Sequence, residues 1–220
     1  MTRPARPRTA ILISGRGSNM VSLLKAAEDP AYPASFVLAA SNRPEAPGLV
    51  HAASAGLATL ALDHRAFPDR AAFDAALDAG LRAHGIDLVV LAGFMRVLTP
   101  GFVEAWAGRM VNIHPSLLPL FRGTHTHAQA LAAGVRLHGC TVHFVVPELD
   151  AGPIIAQAAV PVRPDDDEDS LAARVLAQEH RLYPAAVALV ASGGARLDGD
   201  RVVFAAEAVG GDGALLSLPV

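Results

Sequence analysis

The sequence predicts an α/β fold: a mainly parallel twisted sheet with helices on both faces, extended by later antiparallel strands and closed by a long helix. Three observations carry this. Short apolar runs alternate with stretches of helical spacing from residue 9 to residue 114. Runs such as Ala10-Ile11-Leu12-Ile13 and Leu88-Val89-Val90-Leu91 are apolar without alternation, as strands covered on both faces are. Beyond residue 139 two long strand-like runs follow one another without an intervening helix, and a long helical stretch comes after them.

The elements follow in order. Residues 9–14 read as a buried strand and 18–28 as a helix with Ser18 as its N-cap. Residues 36–41 are a second strand, ended by the turn Asn42-Arg43-Pro44. Residues 47–55 are helical with Gly56 as the stop, and 59–62 form a short strand. Over 68–84, Phe73, Leu77 and Leu81 recur at helical spacing, and Gly85 ends the run. Residues 87–92 are a continuous apolar strand, 100–106 a short helix and 110–114 another strand. Residues 126–133 are helical, and 140–146 and 154–162 are strands joined through the loop that holds Asp150. An acidic turn at 164–169 leads into the closing helix, 170–192. Residues 1–8, with three Arg and two Pro, read as a disordered leader, and 9–195 as one domain. Within it, 9–105 is a phosphate- and nucleotide-binding half and 106–195 a catalytic half. The tail, 196–220, holds a hairpin-like piece around Gly199 and a Gly-rich end.

Composition excludes several function classes. With 52% hydrophobic and 18% charged residues among 220, there is ample material for a core. A net charge of −3 argues against a general nucleic-acid binder. The single cysteine, Cys140, rules out an internal disulfide and fits a reducing cytoplasm. No apolar run reaches membrane-spanning length, and Ala10-Ile11-Leu12-Ile13 is too short for a signal peptide core. The expectation is a cytoplasmic monomer or homodimer acting on small molecules, with neither nucleic acid nor membrane as partner.

The chemistry concentrates in two segments. Asn112-Ile113-His114-Pro115-Ser116 closes a predicted strand, and Leu149-Asp150-Ala151-Gly152-Pro153 follows about 35 residues later. Asn112 and His114, two apart on a strand, point to one face. An amide donor beside an imidazole suits an oxyanion developing on a carbonyl. A carboxylate nearby favours the imidazolium, so Asp150 would complete a set for acyl transfer without a covalent nucleophile. Taken alone, His114 reads as a core histidine and Asp150 as a turn residue. Their company at the carboxyl end of a strand in an open α/β sheet favours a site.

A second signal is Gly15-Arg16-Gly17-Ser18-Asn19, between a strand and a helix. It is neither a Walker A loop nor a full dinucleotide fingerprint. Gly17, Ser18 and Asn19 could hold a single phosphate on backbone N–H groups at a helix N-terminus, against the plainer reading of a tight βα turn. Gly93-Phe94-Met95-Arg96-Val97-Leu98 follows the strongest apolar strand and reads either as a loop with core anchors or as an apolar slot for a flat heterocycle. Five of the nine His lie between 114 and 143, but no set matches a metal spacing, so no metal is expected. Glu179 reads as a helix surface residue or, if it faces the pocket, as a ligand for an amine or hydroxyl.

Together these segments resemble the glycinamide ribonucleotide formyltransferases, the folate-dependent family of purine biosynthesis. The likeness runs from about residue 10 to residue 189. Its most specific pieces are Ile13-Ser-Gly-Arg-Gly-Ser-Asn19, Leu91-Ala-Gly-Phe-Met-Arg96, Asn112-Ile-His-Pro-Ser-Leu-Leu-Pro119, His125-Thr-His127, Val142-His-Phe144, Glu148-Leu-Asp-Ala-Gly-Pro-Ile154 and Gln178-Glu-His-Arg-Leu-Tyr-Pro184. The resemblance implies a Rossmann-like formyltransferase fold. It implies that Gly17, Ser18 and Asn19 hold the ribonucleotide phosphate, that Glu179 contacts its ribose or glycinamide part, and that Asn112, His114 and Asp150 are catalytic. It further implies that Arg70, Met95, Arg96, Val97, Leu98 and Asn112 face the folate, and that 106–195 is the catalytic and folate half. The co-substrate would be 10-formyltetrahydrofolate, with its formyl group passed to the ribonucleotide amine. Where the family commonly carries Lys near 120, Leu120-Phe121-Arg122 moves the positive charge two places.

The nearest rival is a formyltetrahydrofolate hydrolase, which shares the Asn/His/Asp set and uses water as acceptor; such enzymes usually carry an N-terminal regulatory domain, and here the catalytic pattern begins by residue 10. A methionyl-tRNA formyltransferase would need a basic C-terminal module. A non-catalytic nucleotide-binding module would need the 17–19 loop but not Asn112, His114 and Asp150 together.

Overall fold

A computed structural model describes residues 6–205. One seven-stranded sheet is built from β1 (Arg8–Ile13), β2 (Ser35–Ser41), β3 (Ala58–Ala61), β4 (Leu88–Leu91), β5 (Met110–His114), β6 (Leu137–Phe144) and β7 (Ile154–Pro161). Their spatial order is β3-β2-β1-β4-β5-β6-β7. The first five run parallel, and β5–β6 and β6–β7 are antiparallel, as the sequence predicts. The helices are α1 (Ser18–Ala26), α2 (Pro47–Ser54), α3 (Arg70–Ala83), α4 (Pro100–Ala105), α5 (Thr126–Ala132) and α6 (Glu168–Ala191). A 3-10 turn at His64–Ala66 was not legible in the sequence. The hairpin around Gly199 is β8 (Ala195–Asp198) with β9 (Arg201–Phe204); the Gly-rich end lies outside the described residues.

The apolar strands serve two layers at once. In β1, Ile11 and Ile13 pack toward α1 and α6 together with Val90, while Ala10 and Leu12 pack toward α3 and α4 together with Val89 and Leu91. A strand buried on both faces carries no polar alternation, which is why the sequence shows none. Helix α6 is the largest clamp on one face. Its Tyr183 hydroxyl donates to Leu91 O at 2.7 Å, tying the helix to the middle of the sheet. Gly139 in β6 admits β7 at close range: a Cβ there would sit 1.9 Å from Ala158 O.

Two local expectations need correction. Ser18 is not the N-cap of α1; Gly17 holds that position in a left-handed conformation (φ 75°), with no side-chain cap, and Ser18 is the first helical residue. A glycine takes the cap because the positive φ there costs other residues more. Strand β1 begins inside the segment read as leader: Arg8 N–H donates to Asp87 Oδ2 at 2.9 Å, and Ser35 N–H to Pro7 O at 3.0 Å.

The topology fixes where a ligand fits. Chain order runs outward from β1 to β2 and β3, then returns to β4 on the other side of β1. Loops after β1 and β4 therefore diverge to opposite faces and leave a crevice between their carboxyl ends, the place where open α/β sheets bind ligands.

Candidate active site

Strand β5 delivers Asn112 and His114 to this edge, and the antiparallel partner β6 sets His143 directly opposite Asn112. Asn112 Nδ2 lies 3.1 Å from His143 Nε2, and His143 Nδ1 lies 2.9 Å from Phe144 O. The pattern assigns the tautomer: Nδ1–H donates to the carbonyl and Nε2 accepts from the amide. Burial, above all, pushes the His143 pKa down, so the ring is held neutral and keeps this acceptor. One Asn112 N–H is thereby fixed on His143 and the other is free for a ligand. His143 belongs to a quoted motif, but its role was not legible; the signal is the cross-strand register, which a sequence does not display.

His114 is 4% exposed. Its Nε2 lies 2.9 Å from Phe121 O, and its Nδ1 lies 3.5 Å from Asp150 Oδ2. Both ring nitrogens face acceptors, so an imidazolium here has a partner for each N–H. Asp150 is held in turn by Gly123 N–H, 2.8 Å from Oδ2. Three non-glycine residues around this set have left-handed backbones: Phe121 (φ 56°), His125 (φ 56°) and Asp150 (φ 51°). Strain of this kind clusters at functional sites because surrounding contacts must enforce it. Gly152 is required for the same loop: a Cβ there would lie 1.7 Å from Phe144 O. Ser116, the nearest hydroxyl in sequence, donates to Leu120 O at 2.6 Å and is turned away from a nucleophilic role.

Beside Asn112 opens a cleft walled by Phe94, Val97, Leu98, Val145 and Leu149 and closed at one end by Asn112, His143 and Asp150. Its apolar walls with a polar end suit a flat heterocycle. Arg96 lines the cleft with its guanidinium stacked 4.6 Å over the Phe73 ring. The 93–98 loop is thus brought to Asn112 as expected, with two exceptions. Met95 is 64% exposed and Arg70, the first residue of α3, is also exposed; neither lines the cleft.

The 15–19 loop forms the other half of the edge. Gly48, at the start of α2, packs on it: its N–H donates to Gly15 O at 3.1 Å, and a Cβ would lie 2.9 Å from that oxygen. This glycine was not singled out from sequence, because nothing local marks it. Asn19 Nδ2 donates to Glu179 Oε2 at 2.6 Å, which joins the loop to α6. Glu179 is therefore on the buried face of its helix, 6% exposed, and burial raises its pKa despite the Asn19 bond that opposes the shift. Asn19 Oδ1 is buried without a partner, an acceptor available to a ligand donor.

An amide and an imidazole at the end of β5 with a carboxylate from the β6–β7 loop, beside an apolar cleft and a glycine loop at a helix N-terminus, are the groups that suit an acyl-transfer enzyme. Residues 7–187 match the formyl transferase family. A phosphoribosylglycinamide formyltransferase of Escherichia coli is 46% identical over 199 residues, covering 87% of this chain and 94% of that protein. The chain belongs to the phosphoribosylglycinamide formyltransferase family. It is also 48% identical over 195 residues to the trifunctional purine biosynthetic protein adenosine-3 of Bos taurus, covering 89% of this chain but 19% of that protein's length. Among solved structures, glycinamide ribonucleotide transformylase 1 from Symbiobacterium toebii superposes with a TM-score of 0.88 at 45% identity, covering 92% of this chain and 95% of that one. A formyltetrahydrofolate deformylase from Pseudomonas syringae superposes at 0.83 with 25% identity, covering 91% of this chain and 66% of that one.

Proposed function

We propose that the chain transfers the formyl group of 10-formyltetrahydrofolate to the amine of phosphoribosylglycinamide, a step of purine biosynthesis, with both molecules bound as substrates. The observation that supports this reading is that Asn112 and Asp150 line the polar end of an apolar cleft, with His114 Nδ1 3.5 Å from Asp150 Oδ2. Gly17, Ser18 and Asn19 hold the phosphate at the start of α1. Glu179, with Asn19, receives the ribose or glycinamide portion. Val97 and Leu98, with Arg96, flank the folate ring, while Met95 and Arg70 stand farther out, toward the folate's distal part.

The residues then divide the chemistry. Asn112, its amide oriented by His143, donates a hydrogen bond to the formyl oxygen as the amine adds to the carbon, and the His114 imidazolium, its N–H groups held by Phe121 O and Asp150, supplies positive charge beside the developing oxyanion. Removing one such donor typically costs about 3 kcal/mol of barrier. Asp150 balances the imidazolium charge and is placed to relay a proton from the attacking amine toward the leaving folate nitrogen. Holding both substrates in line makes the encounter effectively intramolecular. No residue of the set is consumed, so product leaves without a covalent stage on the protein.

The higher identity to transferases than to the deformylase favours an amine acceptor over water. The remaining parts of the reading are a cytoplasmic location, a monomer or homodimer, and no nucleic-acid or membrane partner; among the described residues no helix is long and apolar enough to cross a membrane. The test is an absorbance assay of 10-formyltetrahydrofolate with and without phosphoribosylglycinamide. Deformylation only when the ribonucleotide is present supports the transferase. Deformylation without it supports the hydrolase, and none in either tube refutes both.

A further inference from the structure

Ser14 is the last residue before the 15–19 loop, 4% exposed, and its hydroxyl joins three loops. Ser14 Oγ accepts the Met95 N–H at 2.7 Å and donates to Asn42 Oδ1 at 2.5 Å. Its own N–H donates to Gly93 O at 3.0 Å. Asn42, 3% exposed, follows β2, and its carbonyl is bonded in turn by His64 Nδ1 at 2.7 Å. A hydroxyl is the smallest side chain that can accept from one loop while donating to another.

The Met95 bond matters because the 93–98 loop has few other holds. The Met95 side chain is 64% exposed and that of Val97 46%. Beyond Ser14 the loop rests on Leu98 and the half-buried Phe94, on the Arg96–Phe73 stack at 4.6 Å, and on Thr99 N–H bonded to Asp74 Oδ2 at 2.6 Å. Segments with few packed side chains owe their shape to such polar anchors.

We infer that Ser14 is a positioning residue coupling the two substrate loops: an occupied phosphate loop fixes Ser14, and Ser14 holds the 93–98 wall in the shape that grips the folate. The inference rests on the reading of these loops as phosphate and folate subsites. It predicts that a phosphate ligand on one loop tightens binding on the other, a gain that vanishes with the hydroxyl.

The experiment uses the full chain, with ribose 5-phosphate as the phosphate probe and a stable deaza analogue of the folate, titrated by calorimetry with and without the sugar phosphate. Wild type is expected to bind the analogue more tightly with the probe present. Ser14→Ala should weaken the analogue about 3- to 10-fold with the probe present, the equivalent of one hydrogen bond, and abolish the dependence on the probe. In steady state its folate KM rises while kcat at saturation stays within about twofold. If Ser14→Ala does not fold, Ser14→Cys, which keeps the shape of the side chain but offers the Met95 N–H only a weak sulfur acceptor, carries the same expectation. A wild type without coupling, or a variant that keeps it, overturns the inference. A wild type that does not bind the analogue at all instead refutes the folate reading.

Discussion

Asp150→Asn isolates charge from geometry. The amide keeps an oxygen for the Gly123 N–H, 2.8 Å away in the wild type, so the loop is expected to keep its shape. What is lost is the negative charge 3.5 Å from His114 Nδ1. At that separation, two unit charges in surroundings of effective dielectric ~20 attract by about 5 kcal/mol. Asp150 also accepts the Gly123 N–H and lines the cleft, so part of that attraction is offset, and about 2–3 kcal/mol should survive as stabilisation of an imidazolium formed during transfer. Each 1.4 kcal/mol is about a factor of ten. The expected kcat is therefore lower by about 30- to 150-fold, with Tm changed by no more than a few degrees. Stopped absorbance assays at saturating substrates, with melting followed by circular dichroism, measure both. A kcat within about threefold of wild type, in a protein that melts normally, removes Asp150 from the catalytic set.

His114→Ala should fold and bind both substrates yet lose about a hundredfold or more in kcat; near-wild-type turnover in the same assay contradicts its role. Glu179→Gln should raise the Tm of the ligand-free protein at neutral pH while weakening the ribonucleotide, because burial raises the Glu179 pKa and so favours its protonated form. The sign follows: that residue's favourable contribution is complete below the ordinary carboxylate pKa and is lost as pH rises through the raised folded value, so the gain from Gln should fade in acid. A Tm gain that persists unchanged at low pH speaks against it. His138, 0% exposed and 3.1 Å from His127, has its pKa pushed down to about 4, by burial first and then by His127 and His114. Its neutral form stabilises the fold fully above about pH 6.5, and that contribution drains away as pH falls toward 4; His138→Gln should flatten this part of the acid unfolding curve. Gly152→Ala must move backbone, since its Cβ would lie 1.7 Å from Phe144 O, and should cost several degrees of Tm together with most of the activity.

How much of this was legible in the sequence differs by kind. The strand order of types, the antiparallel extension and the closing helix follow from periodicity, and β5 coincides with its predicted span because Asn112 and His114 end an apolar run. Helix ends were less well marked. Gly17 caps α1 through a positive φ that no side-chain rule reports. The sequence also brought Asn112 and His114 together with Asp150, since each stands in a distinctive local string. It did not separate Met95 and Arg70 from the true lining of the cleft, because exposure depends on which way a loop turns. Least legible were residues whose meaning is purely tertiary: Gly48 under the 15–19 loop, His143 across from Asn112, and Phe121, whose carbonyl takes His114 Nε2.

Those tertiary residues share one physical task. Asn112 and His114 sit toward the end of β5 and Asp150 in the β6–β7 loop, where the sheet does not fix direction, so a second partner must fix it. Asn112 is aimed by a neutral histidine on the neighbouring strand, His114 by a carbonyl from a strained loop, and Asp150 by a backbone N–H opposite. The partners come from β6 and from loops that the chain reaches only after β5, which gives the antiparallel extension its use. A purely parallel sheet would leave β5 as an edge, with no strand to present His143 and no return loop to carry Asp150. Adding β6 and β7 converts the exposed edge into the wall that orients the chemistry, while β1 and β4 keep the binding crevice that parallel order supplies.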